Sequence, residues 1–165
     1  MNGNTVTLRP FYDADQPQML DILTDKTVAK TYMLPDIERL DAAIPLFERL
    51  KDLSAEPARY VRCIDLNGTA IGFLNDVEIA GGSIELGYVI HPDHQGRGYM
   101  TAALAAAMEE LFAIGYSCVI CGAFEENRAS QRVMEKCGMK RIEKIDEIPY
   151  RGSVHRCVYY QRESV

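Results

Sequence analysis

The sequence predicts a mixed α/β domain whose elements run β-α-α-β-β-β-α-β-α-β-β. Three observations lead there. Asn67-Gly68 and Gly81-Gly82 divide the middle of the chain into three apolar runs, the pattern of consecutive antiparallel strands. Met100, Ala103, Leu104, Ala107, Met108, Leu111 and Phe112 recur at helical spacing between two of the strand-like segments. No repeat, low-complexity tract or linker interrupts the chain, so residues 1–165 are treated as a single domain.

Thr5–Arg9 alternates as a strand does. Asp13–Thr24 reads as a helix, with Asp13 as its N-cap and Met19, Leu20 and Leu23 as its apolar stripe. Asp36–Lys51 carries Ile37, Leu40, Ile44, Phe47 and Leu50 at helical spacing, and Pro45 is expected to split or kink it. Arg59–Asp65, Ala70–Ile79 and Ser83–Ile90 are the three central strands. The helix opening near Gly98 is stopped by Gly115. It joins two strands as a right-handed crossover would. Its N-terminus therefore lies beside the end of Ser83–Ile90, a place where anions commonly bind. Ser117–Phe124 is again a strand. Asn127 caps a short helix with Val133, Met134 and Cys137 inward, ended by Gly138. Lys140–Glu147 and Val154–Arg162 complete the set.

Composition narrows the function classes. Apolar residues make up 47% and charged residues 25%, as in ordinary globular proteins. With 24 acidic against 18 basic residues the net charge is −6, which speaks against broad nucleic-acid binding. No basic segment followed by an apolar stretch opens the chain, so no secretory signal is expected. The apolar run Tyr99–Met108 is too short for a membrane span. Five scattered cysteines, Cys63, Cys118, Cys121, Cys137 and Cys157, read as buried thiols of a reducing, cytoplasmic compartment. Cys118 and Cys121 form C-x-x-C, but on a strand that spacing sends the thiols to opposite faces. His91 and His94 have no Cys cluster nearby, so no metal site is expected.

The chemistry concentrates in Tyr88-Val-Ile-His-Pro-Asp-His-Gln-Gly-Arg-Gly-Tyr-Met-Thr101. A strand ends, a short polar loop follows, and a helix starts. Gly96 and Gly98 let the backbone turn and approach a ligand. The N–H groups of the first helical turn then favour a pyrophosphate, and Arg97 adds positive charge. The run lacks the Gly-Lys-Ser/Thr of a Walker loop and does not complete the dinucleotide fingerprint.

Gln95-Gly96-Arg97-Gly98-Tyr99-Met100 resembles the acyl-CoA loop of the GNAT N-acetyltransferase superfamily, and Val89-Ile90-His91-Pro92 resembles the strand end before it. Asn127-Arg-Ala-Ser130 with Gly138-Met139 is similar to the family's second signature. Leu8-Arg9-Pro10, Leu86-Gly87-Tyr88 and the Gly-Tyr-x-Thr run resemble the branch of ribosomal-protein N-terminal acetyltransferases (RimJ/RimL-like). The resemblance spans nearly the whole chain. It implies the GNAT fold, a mostly antiparallel mixed sheet with helices on both faces, and acetyl-CoA as co-substrate.

Residue by residue, the resemblance implies that pantetheine pairs with the backbone of Tyr88, Val89 and Ile90, and that the pyrophosphate sits on amides of Gly96–Thr101. Gln95, Arg97, Tyr99 and Thr101 belong to that loop. Met100 departs from the family's Gly/Ala and is compatible if its side chain turns into the core. Asn127 meets CoA or the catalytic water, or simply caps its helix; both roles are compatible. Ser130 protonates or orients the CoA thiolate, or is an ordinary first-turn serine. The tyrosine acid that many members carry is replaced by Met134, and a thiol leaving group needs little protonation. Glu85 is the candidate base, acting directly or through a water, against the alternative of a solvated strand carboxylate. Strict alternation puts it opposite Tyr88 unless a bulge intervenes. Glu125 and Glu126 serve the following helix dipole. Tyr32-Met33-Leu34, Tyr150, His155 and Tyr159 are candidate acceptor-pocket walls by family position.

The implied activity moves an acetyl group to a primary amine, a protein N-terminus or a small-molecule amine, by direct attack in a ternary complex. A CoA-binding module without activity is the alternative, suggested by Met134 and Met100. A nucleotide-binding domain is disfavoured by the missing Lys-Ser/Thr. No nucleic-acid or membrane partner is expected, and a homodimer is left open.

Overall fold

The computed structural model describes residues 5–34, 37 and 39–165. Among the described residues, the strands are β1 Val6–Arg9, β2 Val61–Leu66, β3 Thr69–Ala80, β4 Ser83–Ile90, β5 Cys118–Phe124, β6 Lys140–Tyr150 and β7 Ser153–Glu163. The α-helices among them are α1 Gln16–Leu23, α2 Lys26–Thr31, α3 Leu40–Ser54, α4 Tyr99–Ala113 and α5 Arg128–Lys136. The sheet order is β1-β2-β3-β4-β5-β7-β6. All registered pairs are antiparallel except β4 with β5, which run parallel from Ser83↔Cys118 to Leu86↔Cys121. The chain divides into two compact units, residues 1–75 with 88–103, and residues 76–87 with 104–165.

Two-residue turns set the hairpins. Asn67 (φ 53°) and Gly68 (φ 89°) join β2 to β3, and Gly81 (φ 58°) and Gly82 (φ 81°) join β3 to β4. Both central residues are left-handed in each, the type I′ pattern that matches strand twist. Arg151 and Gly152 (φ 49° and 80°) do the same between β6 and β7, without an Asn-Gly or Gly-Gly signal. β6 extends past Glu147 to Tyr150 despite Pro149, which pairs with Val154. It is the edge strand, where a missing N–H costs no ladder bond.

The first unit's core packs Phe11, Met19, Ile22, Leu23, Val28, Phe47, Cys63 and Phe73 together. Phe11 meets Phe47 edge-on at 5.9 Å, and Tyr32 meets Phe73 at 5.6 Å. Two helical expectations change here. α3 runs unbroken through Pro45, because burying Ala43, Phe47 and Leu50 outweighs one lost backbone bond. Leu40 is 54% exposed, so Ala43 takes its place in the stripe. The expected start at Asp36 lies outside the described residues. α2 has no counterpart in the sequence reading. Asp25 caps it by accepting from the Val28 N–H at 2.9 Å.

Asp13 caps nothing; its carboxylate pairs with Lys51. Asp15 is instead buried, accepting from Arg9 at 2.8 and 2.9 Å and from the Tyr12 N–H at 2.7 Å. Arg9 Nε also reaches Asp65 Oδ2 at 2.6 Å. Burial pushes the Asp15 carboxyl up, but the Arg9 and Tyr12 hydrogen bonds outweigh it and hold it below its ordinary value. Its stabilisation is therefore present above the unfolded pKa and lost as pH falls through the lower folded one. Arg9→Met, which strands two buried carboxylates, is expected to cost about 2 kcal/mol at neutral pH. The penalty should shrink in acid, as urea unfolding at several pH values would show; a pH-independent penalty would reject the account.

Candidate active site

The first unit carries the strand end and the loop. Gly72 on β3 has no room for a side chain: a Cβ there would lie 2.2 Å from the Val89 carbonyl oxygen. The His91 N–H donates to the Ile71 carbonyl at 2.8 Å, which anchors the exit of β4. A single 3₁₀ turn, Pro92–His94, follows. Gln95, Gly96, Arg97 and Gly98 are exposed. Gly96 (φ 74°) and Gly98 (φ 82°) are both left-handed, the conformation L side chains rarely adopt. A Cβ at either would meet no protein atom within 4 Å. Backbone conformation, not crowding within the chain, is what requires glycine at both.

α4 begins immediately, its Ala102 N–H donating to the Gly98 carbonyl at 3.0 Å. Amides of the first helical turn point out of the helix end, where the dipole favours an anion. Tyr99 and Met100 are buried, at 8% and 6% exposure, so the Met100 side chain turns inward. Thr101 is half-buried. This geometry suits a diphosphate held by amides.

Beside the 3₁₀ turn lies a cavity of about 170 Å³ lined by Gln18, Asp21, Thr69, Ala70, His91, Asp93 and His94, with no residue of Gly96–Thr101 among them. His94 Nδ1 is buried without a hydrogen-bond partner among the described residues. Burial, then His91 and Arg97, lower its pKa and favour the neutral ring.

Glu85, Asn127 and Ser130 belong to the second unit. The Asn127 side chain accepts from the Ser130 N–H at 3.2 Å and caps α5. Gln131, 4% exposed, buttresses this turn, donating to the Glu125 carbonyl at 2.8 Å and the Asn127 carbonyl at 3.3 Å. Sequence reasoning passed over Gln131; a polar residue on the inward side of so short a helix was the available signal. Met134 is fully buried in the core side of α5 and offers no acid.

Glu85 is half-buried between buried Ile84 and Leu86. Burial raises its pKa; Lys144 opposes that, and Glu78 and Asp146 add to it. Tyr159, one of the expected pocket walls, donates its hydroxyl to Asp146 Oδ2 at 2.7 Å. His155 stacks on Phe124 at 4.4 Å and its Nδ1 lies 2.6 Å from Glu126 Oε1, so Glu126 is tied to His155 as well as preceding α5. Tyr150 packs against both rings. In the first unit Tyr32 donates to Asn75 Oδ1 at 2.6 Å, Leu34 is buried and Met33 is 53% exposed.

Cys118 and Cys121 differ in burial as opposite strand faces require, and burial pushes both thiols up. Among the described residues, no group of three or more His, Cys, Asp or Glu is arranged to hold a metal ion, and no helix is long and apolar enough to cross a membrane.

A strand running into two left-handed glycines and a helix start is a backbone cradle for a diphosphate-bearing cofactor. The family model of the acetyltransferase (GNAT) domain matches residues 5–140, and the chain belongs to that family. No curated protein matches it. Among solved structures, a GNAT-family acetyltransferase from Bacillus anthracis is 22% identical, with 96% of this chain and 95% of that one covered at a TM-score of 0.81. A ribosomal L7/L12 alpha-N-protein acetyltransferase in complex with coenzyme A is 17% identical, with 96% and 94% covered and a TM-score of 0.85. Spermidine N-acetyltransferase from Vibrio cholerae, in complex with CoA and spermine, is 18% identical, with 96% and 95% covered and a TM-score of 0.80. These likenesses establish the GNAT fold.

Proposed function

We propose that this protein transfers an acetyl group from acetyl-CoA to a primary amine by direct attack in a ternary complex. The observation that carries the reading is the pair of left-handed glycines, Gly96 and Gly98, opening directly onto α4 after β4. In it, the backbone of Tyr88–Ile90 aligns the pantetheine arm and the amides of Gly96–Thr101 take the diphosphate, with Gln95 and Arg97 on the exposed rim. Acetyl-CoA supplies the activated acyl group. Glu85 takes a proton from the incoming ammonium, leaving a lone pair to form the C–N bond as the C–S bond breaks. The second N–H proton balances the departing thiolate. Asn127 and Ser130, linked through the α5 cap, line the CoA side as the family signature implies.

The acceptor is a protein N-terminus or a small amine. Motif resemblance favours the RimJ/RimL-like branch, and a structural neighbour is named for L7/L12 while another holds spermine. A net charge of −6 suits a cationic acceptor in either case. Thiol release from acetyl-CoA with a panel of amines and N-terminal peptides is expected to show turnover. Acetyl-CoA that binds but is never consumed would instead identify a carrier module. Mass spectrometry of ribosomal proteins with and without the enzyme separates the two acceptor classes. An unchanged set of N-terminal acetyl groups beside turnover of a free amine rejects the peptide acceptor.

A further inference from the structure

The second unit holds a lysine ammonium on an aromatic ring, among carboxylates, on the face that presents Glu85. Register defines that face. Glu85 pairs with Ile120, Gly122 with Tyr159, and Asp146 with Cys157. Paired residues share a side, as do alternate residues along one strand, so Glu85, Tyr159 and Asp146 all project the same way. Gly122 has no side chain between them. A Cβ there would lie 2.8 Å from Tyr159 Cε1 and 3.2 Å from Cys157 Sγ, so the tyrosine ring lies across β5 where a larger residue would exclude it. The ring is fixed at its far end by the 2.7 Å bond to Asp146. Over it sits Lys144 Nζ, 4.4 Å from the ring centroid. Lys144 is exposed and projects from β6, so its ammonium can leave without disturbing the sheet.

We propose that Lys144 occupies the seat of the acceptor's own ammonium group on Tyr159, and is a specificity-determining residue that a cationic acceptor must displace. The inference rests on the acetyltransferase reading for the word acceptor, and on geometry for the seat. An aromatic face flanked by carboxylates attracts an ammonium ion. A lysine carries the group a primary-amine substrate presents, a primary ammonium on an alkyl stem. A cationic acceptor replaces it charge for charge, so Glu85 and Asp146 keep a nearby positive partner. A neutral ligand of the same shape would remove that partner and is discriminated against.

Lys144→Met keeps the stem and removes the charge, and Lys144→Gln is a second version with a polar end. The probes are n-butylamine, cationic at neutral pH, and n-butanol, its uncharged counterpart, titrated against the full chain by NMR of the tyrosine ring signals. Both variants are expected to bind n-butylamine roughly 5- to 10-fold more tightly than wild type. n-Butanol should show no such gain, and adding Tyr159→Leu should abolish it. Equal or weaker n-butylamine binding in the folded variants overturns the seat. Thiol release by the wild type is scored separately. A binding gain without any turnover leaves the seat standing and removes the acetyltransferase reading. Turnover without the gain does the reverse.

Discussion

Gly98→Val is expected to weaken acetyl-CoA binding by on the order of 10²-fold while leaving the protein folded. Gly98 is exposed, left-handed at φ 82°, and precedes the first turn of α4. A valine pays twice. Its backbone disfavours the left-handed region by about 1–2 kcal/mol, and its branched Cβ occupies space that the chain itself leaves open. If that space belongs to the diphosphate, the amides behind it become unreachable. Gly98→Asn separates the two effects, since asparagine tolerates left-handed backbone but still brings a Cβ. Calorimetry should find Asn weakened as well, though less than Val. An Asn variant with wild-type affinity beside a weak Val variant would assign the loss to backbone strain. Unchanged affinity in a folded Val variant would remove Gly96–Thr101 from the CoA site altogether.

The parts of the architecture that were readable from sequence are those whose determinants are local. β4 was bounded correctly at both ends because Gly81-Gly82 opens it and Pro92 follows its end. Asn127 was recognisable as a cap because its side chain bonds an amide only three residues on. Local signals failed where burial or position in the sheet decided the outcome. Pro45 signals a break, yet α3 continues because its apolar face is buried. The strand expected to end at Glu147 continues through Pro149, which its place at the sheet edge permits. Asp13 and Asp15 look alike as helix openers, and the hydrogen bonds from Arg9, six residues back, and from the Tyr12 N–H select Asp15 for burial. The candidate site divides in the same way. Its loop is contiguous and legible. The surroundings of Glu85 are assembled from β3, β6 and β7, and the placement of β7 between β5 and β6 follows from no local pattern. Glycine at position 122 gains its meaning only once Tyr159 is known to be its partner.

Replacing Glu85 by glutamine is expected to lower kcat by on the order of 10²–10⁴-fold, the usual cost of losing a general base. Its pH dependence identifies the group. Burial raises the Glu85 pKa above the ordinary carboxylate value, with Lys144 opposing and Glu78 and Asp146 reinforcing. Only the deprotonated form accepts a proton, so wild-type kcat/KM should climb with pH through that raised value, and Glu85→Gln should lose this limb. The same shift has the opposite sign for stability. A carboxyl that holds its proton more tightly when folded contributes stability below its unfolded pKa, and loses it as pH rises through the folded one. At neutral pH the native protein therefore carries a half-buried charge that glutamine removes, and the variant's Tm should equal or exceed that of wild type. A lower Tm together with lower kcat would mean that the substitution damaged the fold. A variant keeping full kcat across the pH range would assign proton removal to another group or to bulk water. Slower catalysis in a protein at least as stable is the outcome that separates a base held at a cost in stability from a carboxylate that merely faces solvent.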